Sequence, residues 1–292
     1  MMKPIVVAHA GVGTPNRHKD GPAKACRQAL RFLGKGRSAL DAIVAGAMVL
    51  EDDPRFNAGT GSYLRLDGVT IDMDASLMDS NSNFGSVIGI KNVKNPIQVV
   101  RQVIDSPHVM LYGDGATKFA YLMGIPEYIQ RPTSNVKKML LRARQRLKEG
   151  NPAYYARKWR NWKFRKTILK ELGGTIGLVL FDGKKTFAAA SSTGGTSYSL
   201  PGRVGDTPLI GCGVFAGPAG AVTATGVGEE IIKKTLSKEV YLKIAAGIPP
   251  QKACEWGVNL FDPRIPIGLL AVTREASGSA ANQQMAKAVV PD

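Results

Sequence analysis

The chain has 292 residues, 44% of them hydrophobic, which allows a sizeable core in one large domain or two small ones. Its net charge of +16 at pH 7 is concentrated between residues 137 and 170, where thirteen Lys or Arg accompany a single acid, Glu149. Its three dispersed cysteines argue against a disulfide framework or a zinc site. No apolar run approaches the roughly 18 residues of a transmembrane helix, and the N-terminus lacks the long apolar stretch of a signal peptide, so we expect a cytoplasmic protein without a membrane partner.

The first half of the sequence contains both strand and helix patterns. A short apolar run that ends in a glycine turn predicts a first strand. Helical spacing of apolar residues follows, with Ser38 as a candidate N-cap of the second helix. Alternating residues on both sides of an Asp67-Gly68 turn predict a hairpin. In chain order, the predicted elements are a strand at 5–13, helices at 21–36 and 38–53, a hairpin at 62–79, a strand at 84–93 and two helical stretches around Pro107.

The core pattern stops near residue 132 and resumes at residue 175. We interpret residues 132–174, which include the basic residues, as a linker with partial helix. Beyond it, turns at Asp182-Gly183 and Gly217-Pro218 divide apolar runs into pairs of strands. The predicted elements are strands within 175–193 and 209–228, helices at 229–247 and 249–262, and a last strand at 267–275. Strands and helices occur in blocks, which favours a layered α+β architecture over a βαβ repeat.

A threonine stands directly behind two glycines in "ELGGTIG", where the basic segment ends and a core strand begins. Threonine is a poor nucleophile unless a base is adjacent, and the α-amine of a threonine that begins a chain is such a base. Thr175 would gain that amine if the bond between Gly174 and Thr175 were cut. Glycine at 174 lets the backbone adopt the strained conformation that an N-to-O acyl shift requires. The simpler interpretation of this tripeptide is a turn into a buried strand.

Longer motifs surround this threonine, and they decide between the two interpretations. They are "GTIGLVLFD", "AAASSTGGTSYSLPGRVGDTPLIGCGVFA", "TATGVGEEIIKK" and, in the first half, "AHAGVG" and "SALDAIVAGAMVLEDDPRFNAGTGSYLRLDG". Through them the sequence resembles the plant-type (type III) L-asparaginases and isoaspartyl peptidases, which are N-terminal nucleophile hydrolases. The similarity covers nearly the whole chain except the basic segment.

The resemblance implies a fold, a processing step and a reaction. The fold is α+β, a four-layer αββα sandwich that forms a single domain and is made as a self-cleaving precursor. Cleavage gives an α subunit of residues 1–174, with the basic linker 132–174, and a β subunit of residues 175–292. The reaction is hydrolysis of L-asparagine to L-aspartate and ammonia, of β-aspartyl (isoaspartyl) dipeptides, or of both. Two cleaved protomers are expected to form a homodimer.

The resemblance also assigns roles to individual residues. Thr175 is the nucleophile, and Thr193 is a second threonine whose hydroxyl tunes it. The Thr225 hydroxyl and the Gly226 N–H form the oxyanion hole, which stabilises the charge that develops during amide hydrolysis. Asn57 lies near the catalytic centre.

Substrate recognition is assigned to "PGRVGD" and to the glycine that follows "TATGV". Arg203 offers a planar fork for the substrate α-carboxylate, and Asp206 offers a negative charge for the α-ammonium. Gly228 brings its backbone close to that ammonium. The alternative for the first two residues is a structural ion pair between them.

No cofactor is expected for catalysis, but the resemblance implies a structural sodium ion. Backbone carbonyls of the loop "LEDDPRFNAGT" would bind it. Its ligands would be the carbonyl oxygens of Leu50, Glu51, Asp53, Phe56, Ala58 and Thr60.

Some positions depart from the usual family pattern, and three other functions compete with the one that the resemblance implies. Ala10 and Val12 stand in "HAGVG", where His-Gly-Gly-Ala-Gly is usual, and Val227 and Ser191 each replace a frequent threonine. A glycosylasparaginase-like amidase is one alternative, although such enzymes usually show "STNG" where this chain has "STGG". Taspase-like proteases lack the aspartate that is present here as Asp206. The alternative from another class is a nucleic-acid-binding protein, because aromatic residues are interleaved with the cations of 137–170.

Overall fold

The structure is a computed structural model that describes residues 2–150, 175–196 and 199–291. Over these residues it is a mixed α+β protein with eleven strands in two sheets and eight helices. The strands are β1 (Ile5–Val12), β2 (Met73–Asp79), β3 (Phe84–Ile90), β4 (Met110–Tyr112), β5 (Ile176–Phe181), β6 (Phe187–Thr193), β7 (Val214–Gly217), β8 (Gly220–Gly226), β9 (Ile267–Val272), β10 (Ser277–Ala281) and β11 (Met285–Val290). The helices are α1 (Asp20–Gly34), α2 (Ala39–Glu51), α3 (Pro96–Ile104), α4 (Gly113–Leu122), α5 (Ser134–Lys148), α6 (Gly228–Lys234), α7 (Leu236–Ala245) and α8 (Pro250–Asn259).

The two sheets differ in size. The larger has seven strands in the order β11-β1-β5-β6-β2-β3-β4, and the smaller has four in the order β10-β9-β8-β7. Neighbouring strands are antiparallel except for the parallel pair of β3 and β4. β8 of the smaller sheet packs across β5 and β6 of the larger one. The part of the chain from residue 175 contributes β5, β6 and β11 to the larger sheet and all four strands of the smaller sheet.

Alternation along the strands divides the apolar residues among three clusters. Ile176 and Leu178 of β5 pack with helices α1 and α2 on one face of the larger sheet. Val179, the residue between Leu178 and Leu180, joins a cluster between the two sheets that includes Val272 of β9. A third cluster lies between the smaller sheet and helices α7 and α8. Because successive side chains of a strand point to opposite faces, Thr175 and Gly177 share the face that points towards the other sheet.

The predicted hairpin at 62–79 is wrong. The Asp67-Gly68 turn exists, and the Gly68 N–H donates to the Arg65 carbonyl, but only Met73–Asp79 forms a strand. Arg65 is completely buried and pairs with Asp72. The neighbouring N–H of Leu66 donates to the carbonyl of Ser199. Tertiary partners therefore hold this stretch as a loop, despite its alternating residues.

Other boundaries also differ from the predictions. The helical interpretation around Pro107 misses β4, which extends the larger sheet beside β3. The predicted helix at 229–247 is two helices, because Thr235 between them adopts a left-handed conformation with φ of 42°. The strands β10 and β11 were not predicted. Among the described helices, none combines the length and apolarity that crossing a bilayer requires.

Candidate active site

Thr175 and Thr193 lie at the ends of adjacent antiparallel strands. Ile176 of β5 pairs with Ser192 of β6, and continuing this register by one residue puts Thr175 opposite Thr193. Opposite residues of an antiparallel pair point to the same face, with Cβ atoms roughly 4.5–5.5 Å apart. Both threonines are buried, with 7% and 3% of their surface exposed. The register alone therefore brings the predicted nucleophile and the second threonine together.

Asn57 fixes the Thr193 end of this pair. Its Nδ2 donates to the Gly195 carbonyl at 2.6 Å and to Thr193 Oγ1 at 3.5 Å. Its Oδ1 accepts the N–H of Tyr63 at 3.0 Å. The Gly195 N–H donates to Thr193 Oγ1 at 3.0 Å. Asn57 thus lies beside Thr193 and orients the loop that follows β6.

Thr225 comes from the other sheet. It lies at the end of β8, is completely buried, and accepts the N–H of Val12 on Oγ1 at 3.4 Å. A hydroxyl that accepts this bond still has its own proton to donate. Gly226 follows with φ of +147°, and a Cβ there would lie 2.2 Å from the Pro266 carbonyl oxygen. This position accepts no side chain, which explains the glycine in structural terms.

Arg203, Asp206 and Gly228 form a second cluster. A Cβ added to Gly228 would lie 2.8 Å from both Arg203 Nη2 and Asp206 Oδ1, so this glycine separates the two charged groups. The direct partner of Arg203 is Glu229, through Nε to Oε1 at 2.9 Å and Nη2 to Oε2 at 2.7 Å. The structure therefore shows an ion pair between Arg203 and Glu229, which the sequence analysis missed, and not the structural ion pair considered for Arg203 and Asp206.

Comparison with known proteins identifies the family. A family model described as asparaginase matches residues 2–290. The chain is 40% identical over 267 residues to the plant-type L-asparaginase of Pyrococcus furiosus, covering 87% of this chain and 84% of that protein. It is 35% identical over 284 residues to the isoaspartyl peptidase/L-asparaginase of Homo sapiens, covering 94% and 88%. The chain belongs to the asparaginase family. This confirms the predicted family and the prediction of an amidohydrolase.

In this member of the asparaginase family, a buried histidine that the sequence analysis left unassigned lies close to Thr175, the predicted nucleophile. His9 of β1 pairs with Gly177 of β5, and a Cβ on Gly177 would lie 2.5 Å from His9 Nε2. Nδ1 accepts the Gly11 N–H at 3.0 Å, so the proton of the neutral ring is on Nε2. Burial lowers the pKa of His9 to about 3, against the opposing effect of the Thr175 backbone. His9 is thus neutral, and its Nε2 faces Gly177, two residues from Thr175.

Two buried carboxyls share the site with Arg203. Burial raises the pKa of Asp206 to about 7, although Arg203 works in the opposite direction. Burial also raises the pKa of Asp74 to about 6. Asp74 pairs with Thr193 in the sheet register and accepts the Gly89 N–H at 2.9 Å. The sequence analysis assigned no role to Asp74, because the local pattern does not show that β2 lies beside β6.

The predicted sodium loop, residues 50–60, begins in the last turn of α2. A Cβ on Gly59 would lie 2.4 Å from the Glu51 carbonyl oxygen, and one on Gly61 would lie 2.0 Å from that of Phe56. Two of the six predicted carbonyls therefore face this glycine-containing turn closely. Within the described ranges, no group of three or more His, Cys, Asp or Glu side chains is placed to bind a metal ion. Carbonyl oxygens are the ligand type suited to a hard cation.

Part of the basic linker is an ordered helix. Val136 and Leu140 of α5 pack against Leu64, and Arg144 donates to the carbonyls of Leu66 and Asp67. Residues 151–174 of the linker, which include Gly174, lie outside the described residues. Binding of nucleic acid through residues 137–170 stays a prediction.

Proposed function

We propose that this asparaginase-family protein cleaves itself between Gly174 and Thr175 and then hydrolyses the β-amide of L-asparagine and of β-aspartyl dipeptides. The observation that carries the proposal is the register that sets Thr175 opposite Thr193. The strand β8, which carries Thr225, packs against β5, where Thr223 Oγ1 lies 2.9 Å from the position of a Cβ on Gly177. Relatives named plant-type L-asparaginase and isoaspartyl peptidase/L-asparaginase support the choice of substrates.

Cleavage supplies the base that the site otherwise lacks. The Thr175 hydroxyl attacks the Gly174 carbonyl carbon, and breakage of the C–N bond converts the peptide bond into an ester and frees the α-amine of Thr175. Water then hydrolyses the ester, which releases the Gly174 carboxylate and restores the Thr175 hydroxyl. This amine titrates near 7.7–8 when unperturbed. It can accept the hydroxyl proton, as the α-amine of an N-terminal threonine does in other hydrolases. His9 is buried and neutral, which suits it to hold the Thr175 backbone during both steps.

Hydrolysis of the substrate proceeds through an acyl-enzyme. Thr175 Oγ attacks the side-chain carbonyl carbon, and its proton passes to the α-amine. The developing oxyanion is stabilised by the Thr225 hydroxyl and the Gly226 N–H. Collapse breaks the C–N bond, and the leaving ammonia or amino acid takes the proton. Water then attacks the ester, which releases aspartate and restores the Thr175 hydroxyl.

Recognition of the α-amino and α-carboxylate groups falls to the second cluster. Arg203 is the cation available to the carboxylate, and Asp206 is the buried anion available to the ammonium. Gly228 leaves the space between them without a side chain. A zwitterionic α-carbon fits there, which places the β-carbonyl towards the threonines.

The proposal includes the architecture and assembly of the family. In an αββα sandwich, the three apolar clusters would fill the three interfaces between successive layers: helices against the larger sheet, the larger sheet against the smaller, and the smaller sheet against helices. A sodium ion bound by carbonyls of residues 50–60 would rigidify the loop that carries Asn57. Two cleaved protomers would form a dimer.

A denaturing gel combined with an ammonia assay tests the central claim. Self-cleavage, which exposes the α-amine that a threonine nucleophile needs, would divide the 31.2 kDa chain into fragments of roughly 19 and 13 kDa. The smaller fragment should begin Thr-Ile-Gly, and ammonia should be released from asparagine. Thr175→Ala should abolish both cutting and hydrolysis, whereas Thr175→Ser should retain part of each.

The matched control is Thr186→Ala, which alters a threonine in the turn between β5 and β6, away from the two strand ends that meet at Thr175. It should cut and hydrolyse like the unmodified protein. A chain that stays whole after prolonged incubation and releases no ammonia would refute the proposal.

A further inference from the structure

The Arg203–Glu229 pair lies at the mouth of the recognition cluster. The Arg203 side chain is 16% exposed and the Glu229 side chain is 55% exposed. Glu229 is in the first turn of α6, directly after Gly228. The guanidinium is therefore held inside the protein by a carboxylate that reaches solvent, beside the glycine that separates Arg203 from Asp206.

The pair uses only one side of the guanidinium. A guanidinium offers two edges to which a carboxylate can bind through two hydrogen bonds, one formed by Nε and Nη2 and the other by Nη1 and Nη2. Glu229 occupies the first edge, at 2.9 and 2.7 Å. Since the fork is rigid and planar, fixing one edge also fixes the direction of the other.

The second edge faces the space next to Asp206. A Cβ on Gly205 would lie 2.6 Å from Arg203 Nη1, and a Cβ on Gly228 would lie 2.8 Å from Nη2. The same Gly228 position is 2.8 Å from Asp206 Oδ1. Among the described residues, the Arg203 side chain hydrogen-bonds only to Glu229, and two glycines without side chains adjoin its second edge. This is the place where a carboxylate and an ammonium on one carbon atom would meet Arg203 and Asp206.

We propose that Glu229 is a positioning residue that holds the Nε–Nη2 edge of Arg203, so that the Nη1–Nη2 edge receives the substrate α-carboxylate. This inference rests on the proposed function, because it concerns the same pocket. Two carboxylates then share one guanidinium, one from the protein and one from the substrate. Without Glu229 the long Arg203 side chain regains rotational freedom, and the substrate must order it on binding.

Substitution of Glu229 tests this by separating KM from kcat. Glu229→Gln loses one charged acceptor and turns an amide N–H₂ towards the guanidinium. The KM for L-asparagine should rise about tenfold or more, the usual effect of losing a hydrogen bond to a charged group, while kcat changes little because the reacting carbonyl is remote from the change. The matched control is Glu230→Gln, which makes the same change of charge at the next residue of α6. Glu230 pairs with Lys233 instead, so the KM should stay at the unmodified value.

Two asparagine analogues locate the effect on the carboxylate. Succinamate keeps the carboxylate and lacks the α-amine, and 3-aminopropanamide keeps the amine and lacks the carboxylate. Both analogues are used as competitive inhibitors. The inhibition constant of succinamate should rise in Glu229→Gln by the same factor as the KM, whereas the inhibition constant of 3-aminopropanamide should equal that for the unmodified enzyme.

The inference is overturned by an unchanged KM in Glu229→Gln, by an equal rise in Glu230→Gln, or by equal weakening of both inhibitors. These outcomes leave the proposed function intact. If instead the unmodified protein hydrolyses neither asparagine nor a β-aspartyl dipeptide, it is the proposed function that fails.

Discussion

Glu51, at the end of α2, is a completely buried carboxyl group. Its Oε1 accepts the Ser192 hydroxyl at 2.6 Å and the Ile97 N–H at 3.1 Å, so it joins α2 to β6 and to the start of α3. Burial raises its pKa from 4.5 to about 8, although both hydrogen bonds work against the rise. Glu51→Gln keeps the shape and an oxygen acceptor but cannot ionise.

The sign of the expected pH effect follows from proton binding. Between pH 4.5 and about 8 the folded protein keeps a proton on Glu51, while the unfolded chain has lost it. Unfolding therefore releases a proton, and the free energy of unfolding falls by ~1.4 kcal/mol per pH unit as pH rises through this window. Glu51→Gln lacks this slope. Its free energy of unfolding relative to the unmodified protein should rise by several kcal/mol from pH 5 to pH 8, on the order of that slope times the window.

Urea unfolding at several pH values measures the difference. The Thr175→Ala background keeps the chain in one piece under the proposed function, so that the same species unfolds at each pH. Equal m-values would show that the variants expose the same surface, and the midpoints then report the free energies. Glu255→Gln is the control, because the Glu255 side chain is 41% exposed and its pKa is lowered by hydrogen bonds from Gln251 and Lys252. Its effect should be constant above pH 5.

A difference in unfolding free energy between Glu51→Gln and its parent that does not vary with pH would refute this reasoning. It would mean that Glu51 ionises at the same pH in both states, despite its burial. A difference that changes in the opposite direction would mean that the carboxylate is the better bound form, and that the bonds from Ser192 and Ile97 outweigh burial.

Two further substitutions test the site itself. Asp206→Asn should lower kcat/KM for L-asparagine at least about tenfold, which is the scale of a lost hydrogen bond to a charged group. In the unmodified enzyme, kcat/KM should fall as the pH drops below about 7, because Asp206 takes up a proton there. A steady-state kcat/KM that does not change between pH 8 and pH 5 would contradict this. Gly177→Ala puts a Cβ 2.5 Å from His9 Nε2, so β5 must shift together with Thr175, and the two fragments should appear more slowly on a gel. Gly115→Ala is the control, because a Cβ there meets no heavy atom within 4 Å, and it should be cut at the normal rate. Equal rates in the two variants would show that the contact between His9 and β5 does not affect cleavage.

Local patterns predict most of the elements that carry the site. The run 176–181 is a strand because its residues are apolar or glycine, and the Asp182-Gly183 turn returns the chain as β6. These two facts already bring Thr175 next to Thr193, since a short hairpin fixes the register. The helix at 38–53 is likewise confirmed as α2, with the Ser38 hydroxyl accepting the Asp41 N–H at 3.0 Å.

Long-range partners are what the patterns do not contain. Residues 62–66 alternate like a strand, but buried Arg65 and its contact with Asp72 decide their conformation. The sequence places Glu229 beside Gly228 without indicating that it meets Arg203, since the loop between β6 and β7 must first fold back onto α6. The same holds for Asp74, whose position depends on β2 pairing with β6.

The charges around Arg203 favour a ligand with a free ammonium. The charge of Glu229 is balanced by its two bonds to Arg203, whereas Asp206 and Asp74 each have one carboxyl oxygen without a hydrogen-bond partner among the described residues. Burial holds the pKa of these two groups at about 7 and about 6. A cation placed beside Asp206 would restore its ionised form, since an opposite charge nearby favours the carboxylate. A zwitterion supplies that cation together with a carboxylate for the second edge of Arg203. A dicarboxylate would instead place another negative charge beside Asp206 and Asp74, the two carboxyl groups whose pKa values burial already raises.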